Sequence, residues 1–197
     1  MITTLSETLG ARRVLRRAYE TTRNLPDRLL HKRRHRAVLR RISRGERPRR
    51  ILVVCHGNIC RSPYLQAVLQ RALTGTAVSS AGFFGSDRAV PQIALSLSAK
   101  RGLDLSGHRS RPLTTPTVRS ADLVIVMDSG QAHHLARMFP IDRARIVIAG
   151  DLDPRSCASR GITDPWNRSG DVFESSFDRL DRCAQTLASI IQPSDER

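Results

Sequence analysis

The sequence predicts an α/β protein: an open parallel sheet of four strands with helices on both faces, preceded by a basic helical arm. Three observations lead there. Ile51 to Val54 is a continuous apolar run, as expected of a strand buried on both faces. Such runs alternate with segments whose apolar residues recur at helical spacing, and this alternation requires crossovers and parallel pairing. The charge is also lopsided. Residues 1–50 carry 16 Lys+Arg against 4 Asp+Glu, whereas residues 51–197 carry 17 against 14. That asymmetry predicts an arm and linker over 1–48 and a near-neutral domain over 49–197.

The elements follow in order. Residues 5–42 read as helical but polar, with Leu5, Leu9, Leu29, Leu30, Val38, Leu39 and Ile42 set among arginines. Pro26 is expected to split this stretch, and Asp27 favours the first turn of a second helix. Ser43 to Arg50 holds Gly45 and Pro48 and reads as a linker. After the strand ending at Cys55, Ser62-Pro63 predicts a helix start with Ser62 at the cap. Ala77 to Ala81 is a short strand and Ile93 to Lys100 a helix ended by Gly102. Ala121 to Met127 is a buried strand, followed by a helix over 129–138. Ile146 to Ile148 is the fourth strand, and Val172 to Ile191 a long closing helix.

Composition narrows the class. With 197 residues there is room for one domain and an appendage. Aromatics are 4 %, too few for stacking platforms on single-stranded nucleic acid. No window approaches ~18 consecutive apolar residues, and no apolar stretch follows Met1, so neither a membrane span nor a secretory signal is expected. Cys55, Cys60, Cys157 and Cys183 include no CxxC pair. This predicts free thiols in a reducing cytoplasm, without a metal site or cofactor.

The chemistry is concentrated between Val54 and Pro63, V-C-H-G-N-I-C-R-S-P. Ligands of open α/β sheets sit at the carboxyl ends of strands. A strand-to-helix loop turns its amides toward one point, and the helix N-terminus adds positive charge. Gly57 permits a tight turn and Asn58 a left-handed residue. The result is an anion cradle with Cys55 at its start and Arg61 at its end. Loop amides, helix dipole and Arg61 favour the thiolate, a competent nucleophile for phosphorus. The guanidinium fork suits two phosphate oxygens. Ser62 is placed to donate to the sulfur. Asp164, followed by Pro165 and Trp166, is a carboxyl group on a separate loop. Such a group can protonate a leaving phenolate and then activate water.

These residues resemble the low-molecular-weight protein tyrosine phosphatase family over about residues 49–197. C-H-G-N-I-C-R-S-P looks like that family's phosphate loop. Ser80-Ala81-Gly82, His108-x-Ser110-Arg111, Ala121-Asp122-Leu123, Met127-Asp128, Asp164-Pro165-Trp166 and Phe173-Glu174 follow in the family's order. The resemblance implies a flavodoxin-like sheet of the phosphatase type. It implies Cys55 as nucleophile, Arg61 as phosphate ligand and Asp164 as general acid and base. His56, Gly57, Asn58, Ile59, Cys60 and Ser62 would form the phosphate loop, with Ser80 and His108 as braces and Trp166 as a shield. Ile59, where arginine phosphatases tend to carry Thr, favours phosphotyrosine.

The chain also departs from the pattern. Tyr64, Leu65 and Gln66 replace an aliphatic residue, Ala and Glu. Ser86 falls where a Trp wall is common, which leaves Phe84 as the candidate wall. A Cys55–Cys60 disulfide is a conceivable oxidative lock. Implied partners are a phosphotyrosine protein, a bacterial tyrosine kinase among them. The arm adds attraction for an anionic membrane, a nucleic acid or an acidic protein, hence a peripheral location. Two alternatives remain at this stage. A thiol-dependent arsenate reductase on the same scaffold would need a further cysteine within reach, and residues 127–137 hold none. The other is a purely arm-driven binding protein.

Overall fold

The computed structural model describes residues 26–192. The expectations for Leu5, Leu9 and the first arm helix lie outside them. Strand β1 (Arg50–Cys55) is followed by β2 (Ala77–Gly82), β3 (Leu123–Val126) and β4 (Ile146–Ile148). All pair in parallel, in the order β2-β1-β3-β4. The chain thus leaves β1 toward one side for β2 and crosses back for β3. The carboxyl end of β1 is therefore the switch point where two crossovers diverge and a crevice opens.

Alternation along β1 divides the core in two. Ile51, Val53 and Cys55 face one side with Tyr64, Leu65, Phe173, Phe177 and Leu180. Leu52 and Val54 face the other with Val118, Leu135 and Phe139. The first layer is built by α2 (Arg61–Ala72), α3 (Gln92–Lys100) and α7 (Gly170–Ile191). The second is built by α4 (Thr115–Ser120) and α5 (Ser129–Met138). The one-turn helix α6 (Ala149–Leu152) follows β4 directly. Neither α4 nor α6 is legible as apolar periodicity. A capping box between Thr114 and Thr117 marks α4 instead.

Residues 26–44 form a helix, α1, which the linker reading cut short by two residues. It does not stand free. Val38 is buried in the core, and Leu39 and Ile42 pack on it. His35 Nδ1 lies 2.9 Å from the Asp151 carbonyl, and Arg41 Nη2 donates to the Ile146 carbonyl at 2.9 Å. Arg34 is ion-paired with Asp27 and Asp151. The outward face carries Arg28, Leu29, Leu30, Lys32, Arg33, Arg36, Arg40 and Arg44, all exposed. Among the described residues no helix is long and apolar enough to cross a membrane.

Candidate active site

Cys55 ends β1 and Arg61 begins α2, so the segment between them wraps the switch point. Asn58 is its hub. Its φ of 51° is left-handed, a region Asn tolerates better than most residues. Its Oδ1 accepts the Arg111 backbone N–H at 2.8 Å, which fixes the amide's orientation. Nδ2 must then donate to Ser62 Oγ and to Ser80 Oγ, both at 2.9 Å. Since Ser62 Oγ accepts from Asn58, its own proton is free for Cys55 Sγ, 3.0 Å away. The Asn58 backbone N–H adds a second donor to that sulfur at 3.3 Å. His108 donates from Nε2 to the Asn58 carbonyl at 2.8 Å. Burial and the Arg111 and Arg109 charges outweigh that bond and lower the His108 pKa, which favours the neutral ring.

One local expectation changes. Ser62 does not cap α2: the helix starts at Arg61 with Cys60 at the cap, and no side chain caps it. The hydroxyl is already engaged by Asn58 and the sulfur. The left-handed residue of the loop is Asn58, as expected, and Gly57 turns without a positive φ. The glycine the loop needs for close approach is Gly82, on β2. A Cβ there would lie 2.9 Å from the Asn58 nitrogen.

A cavity of about 250 Å³ opens over the loop. Cys55, Gly57, Ile59, Cys60 and Arg61 form its floor. His56, Phe84, Arg88, Asp164 and Trp166 form its rim. Phe84 and Trp166 are about half exposed, and the Phe84 ring centroid lies 4.6 Å from that of His56. Ser86, by contrast, does not line the cavity. Arg61 is buried. Its Nη1 donates to the Ile162 carbonyl at 3.1 Å, and its Nη2 forms an ion pair with Asp164. Its Nε is buried without a partner among the described residues, so one more acceptor fits there. Burial, with Cys55 alongside, pushes the Cys60 thiol up to about 12. Cys60 therefore stays protonated beside Cys55.

The chain leading to Asp164 is held differently. The Ile162 N–H donates to the Met127 carbonyl at 2.8 Å, and Ser176 Oγ donates to the Thr163 carbonyl at 2.9 Å. Arg179 Nη1 donates to the Gly161 carbonyl at 2.7 Å. Arg179 and Arg182 also clamp Asp153, whose side chain is fully buried. Burial opposes the Asp153 charge, but hydrogen bonds from Arg182, the Arg155 N–H and Cys157 prevail and lower its pKa. The Asp164 carboxyl itself is about half exposed, and its Oδ1 accepts the Trp166 N–H at 3.2 Å.

All the candidate residues thus gather at one crevice, including Ser80 and His108 behind the loop. Arg88 joins the rim although nothing in its sequence context, a polar turn after β2, marks it as part of the site. Tyr64, a departure from the expected aliphatic residue, is fully buried. It stacks on Phe177 at 3.8 Å and donates to Asp181 at 2.7 Å. The other cysteines are elsewhere: Cys183 is buried in the core, and Cys157 donates to Asp153. Neither lines the cavity, so the relay an arsenate reductase requires is not built here.

A thiol in an anion cradle, faced by a carboxyl group, points to a class: cysteine-dependent phosphatases. Comparison with known proteins narrows it. Residues 50–196 match the family model described as low molecular weight phosphotyrosine protein phosphatase. The chain belongs to that family. It is 35 % identical over 133 residues to the probable low molecular weight protein-tyrosine-phosphatase EpsP of Ralstonia nicotianae, covering 67 % of this chain and 88 % of the relative. It superposes on the tyrosine phosphatase Wzb from Escherichia coli K30, solved with sulphate, with a TM-score of 0.67 and 31 % identity, covering 72 % of this chain and 97 % of that one. The YwlE arginine phosphatase from Geobacillus stearothermophilus gives a TM-score of 0.66 at 29 % identity, over 72 % and 92 % of the two chains.

Proposed function

We propose that the protein hydrolyses phosphotyrosine in proteins through a phosphocysteine on Cys55. The observation that carries this reading is the pair of donors on the Cys55 sulfur, within one small cavity that also holds Arg61 and Asp164. Loop amides and Arg61 take the equatorial phosphoryl oxygens, with Arg61 Nε supplying the donor that has no partner among the described residues. The arriving dianion competes with Asp164 for the guanidinium and so releases the carboxyl group, which acts in its protonated form. As Cys55 attacks, the S–P bond forms and the ester P–O bond breaks. Asp164 gives its proton to the leaving phenolate. Asp164, now a carboxylate, then takes a proton from water as that water attacks phosphorus. The S–P bond breaks, phosphate leaves, and Ser62 and the Asn58 amide receive the returning thiolate. His56, Ile59 and Cys60 shape the floor and near rim, Ser80 and His108 brace Asn58, and Phe84 with Trp166 flank an aromatic ring.

Ile59 and the two exposed aromatics support phosphotyrosine over phosphoarginine. A tyrosine kinase, itself carrying phosphotyrosine, is a fitting protein substrate. The test is rapid quench of the working enzyme followed by mass spectrometry. A phosphoryl adduct on Cys55 is expected, with hydrolysis of phosphotyrosine peptide exceeding that of phosphoarginine and phosphoserine peptides. Absence of the adduct during turnover removes the mechanism.

The domain over 49–197 holds every one of these groups, and residues 1–48 add a second property. The outward arginines of α1 support attraction to an anionic membrane, a nucleic acid or an acidic protein, and thus a peripheral location. Deleting the arm would uncover Val38, so charge reversal of Arg33, Arg36 and Arg40 is the cleaner test. Loss of binding to anionic vesicles or DNA with hydrolysis unchanged supports it, and unchanged binding removes it.

A further inference from the structure

Arg88 sits on the rim with an arrangement the mechanism does not use. Its backbone is clamped to the segment that braces the phosphate loop. The Arg88 N–H donates to Ser110 Oγ at 3.0 Å, the Ser110 N–H donates to the Arg88 carbonyl at 2.9 Å, and Ala89 bridges Arg109. The turn that delivers it has two left-handed residues, Gly85 at φ 76° and Asp87 at φ 54°. The guanidinium then lies over the loop, where Nη2 donates to the Gly57 carbonyl at 3.0 Å.

Two glycines make room for it. A Cβ on Gly57 would stand 2.4 Å from Arg88 Nη2, and one on Gly85 would stand 2.6 Å from Arg88 Nε. The arginine is exposed, yet its backbone is fixed, and it has no carboxylate within ion-pair distance among the described residues. The one carboxylate on the rim, Asp164, is paired with Arg61.

We infer that Arg88 is a specificity-determining residue that reads a negative charge beside the phosphotyrosine, selecting substrates with an acidic flanking side chain. The inference rests on the phosphotyrosine reading above. Arg61 and the loop amides already serve the phosphoryl group. Arg88 holds a carbonyl of the loop, shares the rim with Phe84 and Trp166, and has donors left over. It therefore meets what lies next to the reacting ester. A carboxylate docking there finds a cation already placed, which lowers the ordering cost of the contact. Both partners stay partly hydrated, so the preference is modest, about three- to fivefold in kcat/KM, and falls with salt.

The test uses the full chain and two phosphotyrosine peptides that differ only in Glu or Gln beside the phosphotyrosine, at low and high salt. The ratio of their kcat/KM values is the readout, because any uniform loss from disturbing Gly57 cancels. The wild type is expected to favour the Glu peptide at low salt. Arg88→Ala brings the ratio to about one, and Arg88→Glu inverts it. A wild-type ratio of one, or a ratio unchanged in Arg88→Ala, overturns the inference and leaves the phosphatase reading intact. Turnover of an aryl phosphate with neither peptide hydrolysed overturns both.

Discussion

The loop that carries Cys55 and the loop that carries Asp164 face one cavity but are held by different physics. Neutral groups hold the hub of the first, and Arg88 adds one charged contact at Gly57. Asn58 is fully buried, and its amide links Ser62, Ser80 and Arg111 through short hydrogen bonds, with His108 closing the set. Charges hold the second. Asp153, Arg179 and Arg182 anchor its base, and the catalytic candidate at its tip is half exposed. The difference suits the tasks proposed for the two loops. A nucleophile needs a cradle whose dipoles do not reorganise when charge arrives. The acid and base proposed for Asp164 must release Arg61, take and give a proton, and admit water, so its carboxyl group cannot be sealed in.

The contrast yields predictions in order of expected size. Cys55→Ser removes the nucleophile and should lower turnover by at least ~10³-fold with the fold intact, which steady-state hydrolysis and circular dichroism will show together. Asp164→Asn should cost ~10²- to 10⁴-fold for alkyl-like leaving groups and far less for activated aryl phosphates. Equal losses across a leaving-group series would reassign the acid. Asp153→Ala strands buried Arg179 and should destabilise by about 3 kcal/mol in urea unfolding. Asn58→Ala, which leaves neutral partners unpaired, should cost about 2 kcal/mol. Their effects on kcat should run the opposite way, larger for Asn58 than for Asp153, because only Asn58 touches the groups on the sulfur. A reversed order would break the comparison.

The smallest effect concerns pH. Burial lowers the His108 pKa in the folded state, as it does that of His31. Above the ordinary value of about 6.5 both states are neutral and nothing is lost. As pH falls through 6.5 the unfolded chain takes its protons first, so stability declines toward the depressed folded values. His108→Gln should remove part of that slope, measured as Tm from pH 7.5 to 5, while the His31 share persists.

The sheet and the phosphate loop were legible because their signals are local. Three apolar runs and the short segment Ala77 to Ala81 name the strands, and a nine-residue string holds thiol, turn and guanidinium. The turn at Asn58 is of this kind, since residue type and required backbone region coincide. Ser62 shows where locality ends. A serine before proline reads as a cap, yet Asn58 and Cys55 of its own loop claim its hydroxyl once Ser80 and Arg111 have oriented the Asn58 amide. Arg88 was missed for a related reason: an arginine in a polar loop looks like any solvated arginine until Gly57 and Gly85 are seen clearing a place for it. Tyr64 looked like a departure and proves to be core, because α7 offers Phe177 for stacking and Asp181 for its hydroxyl.

By itself, then, the chain's order of residues determined the parallel sheet, the position of the anion cradle at the end of β1, and the placing of a cysteine and an arginine six positions apart at its two ends. Tertiary structure alone decided that Asp164 pairs with Arg61 over that cradle, which backbone amide orients Asn58, and that the basic helix lies against the domain. The reason is range. Hydrophobic period and turn preference act over a few residues, whereas hydrogen-bond partners and cavity walls come from segments dozens of residues apart that meet only once the two core layers have closed.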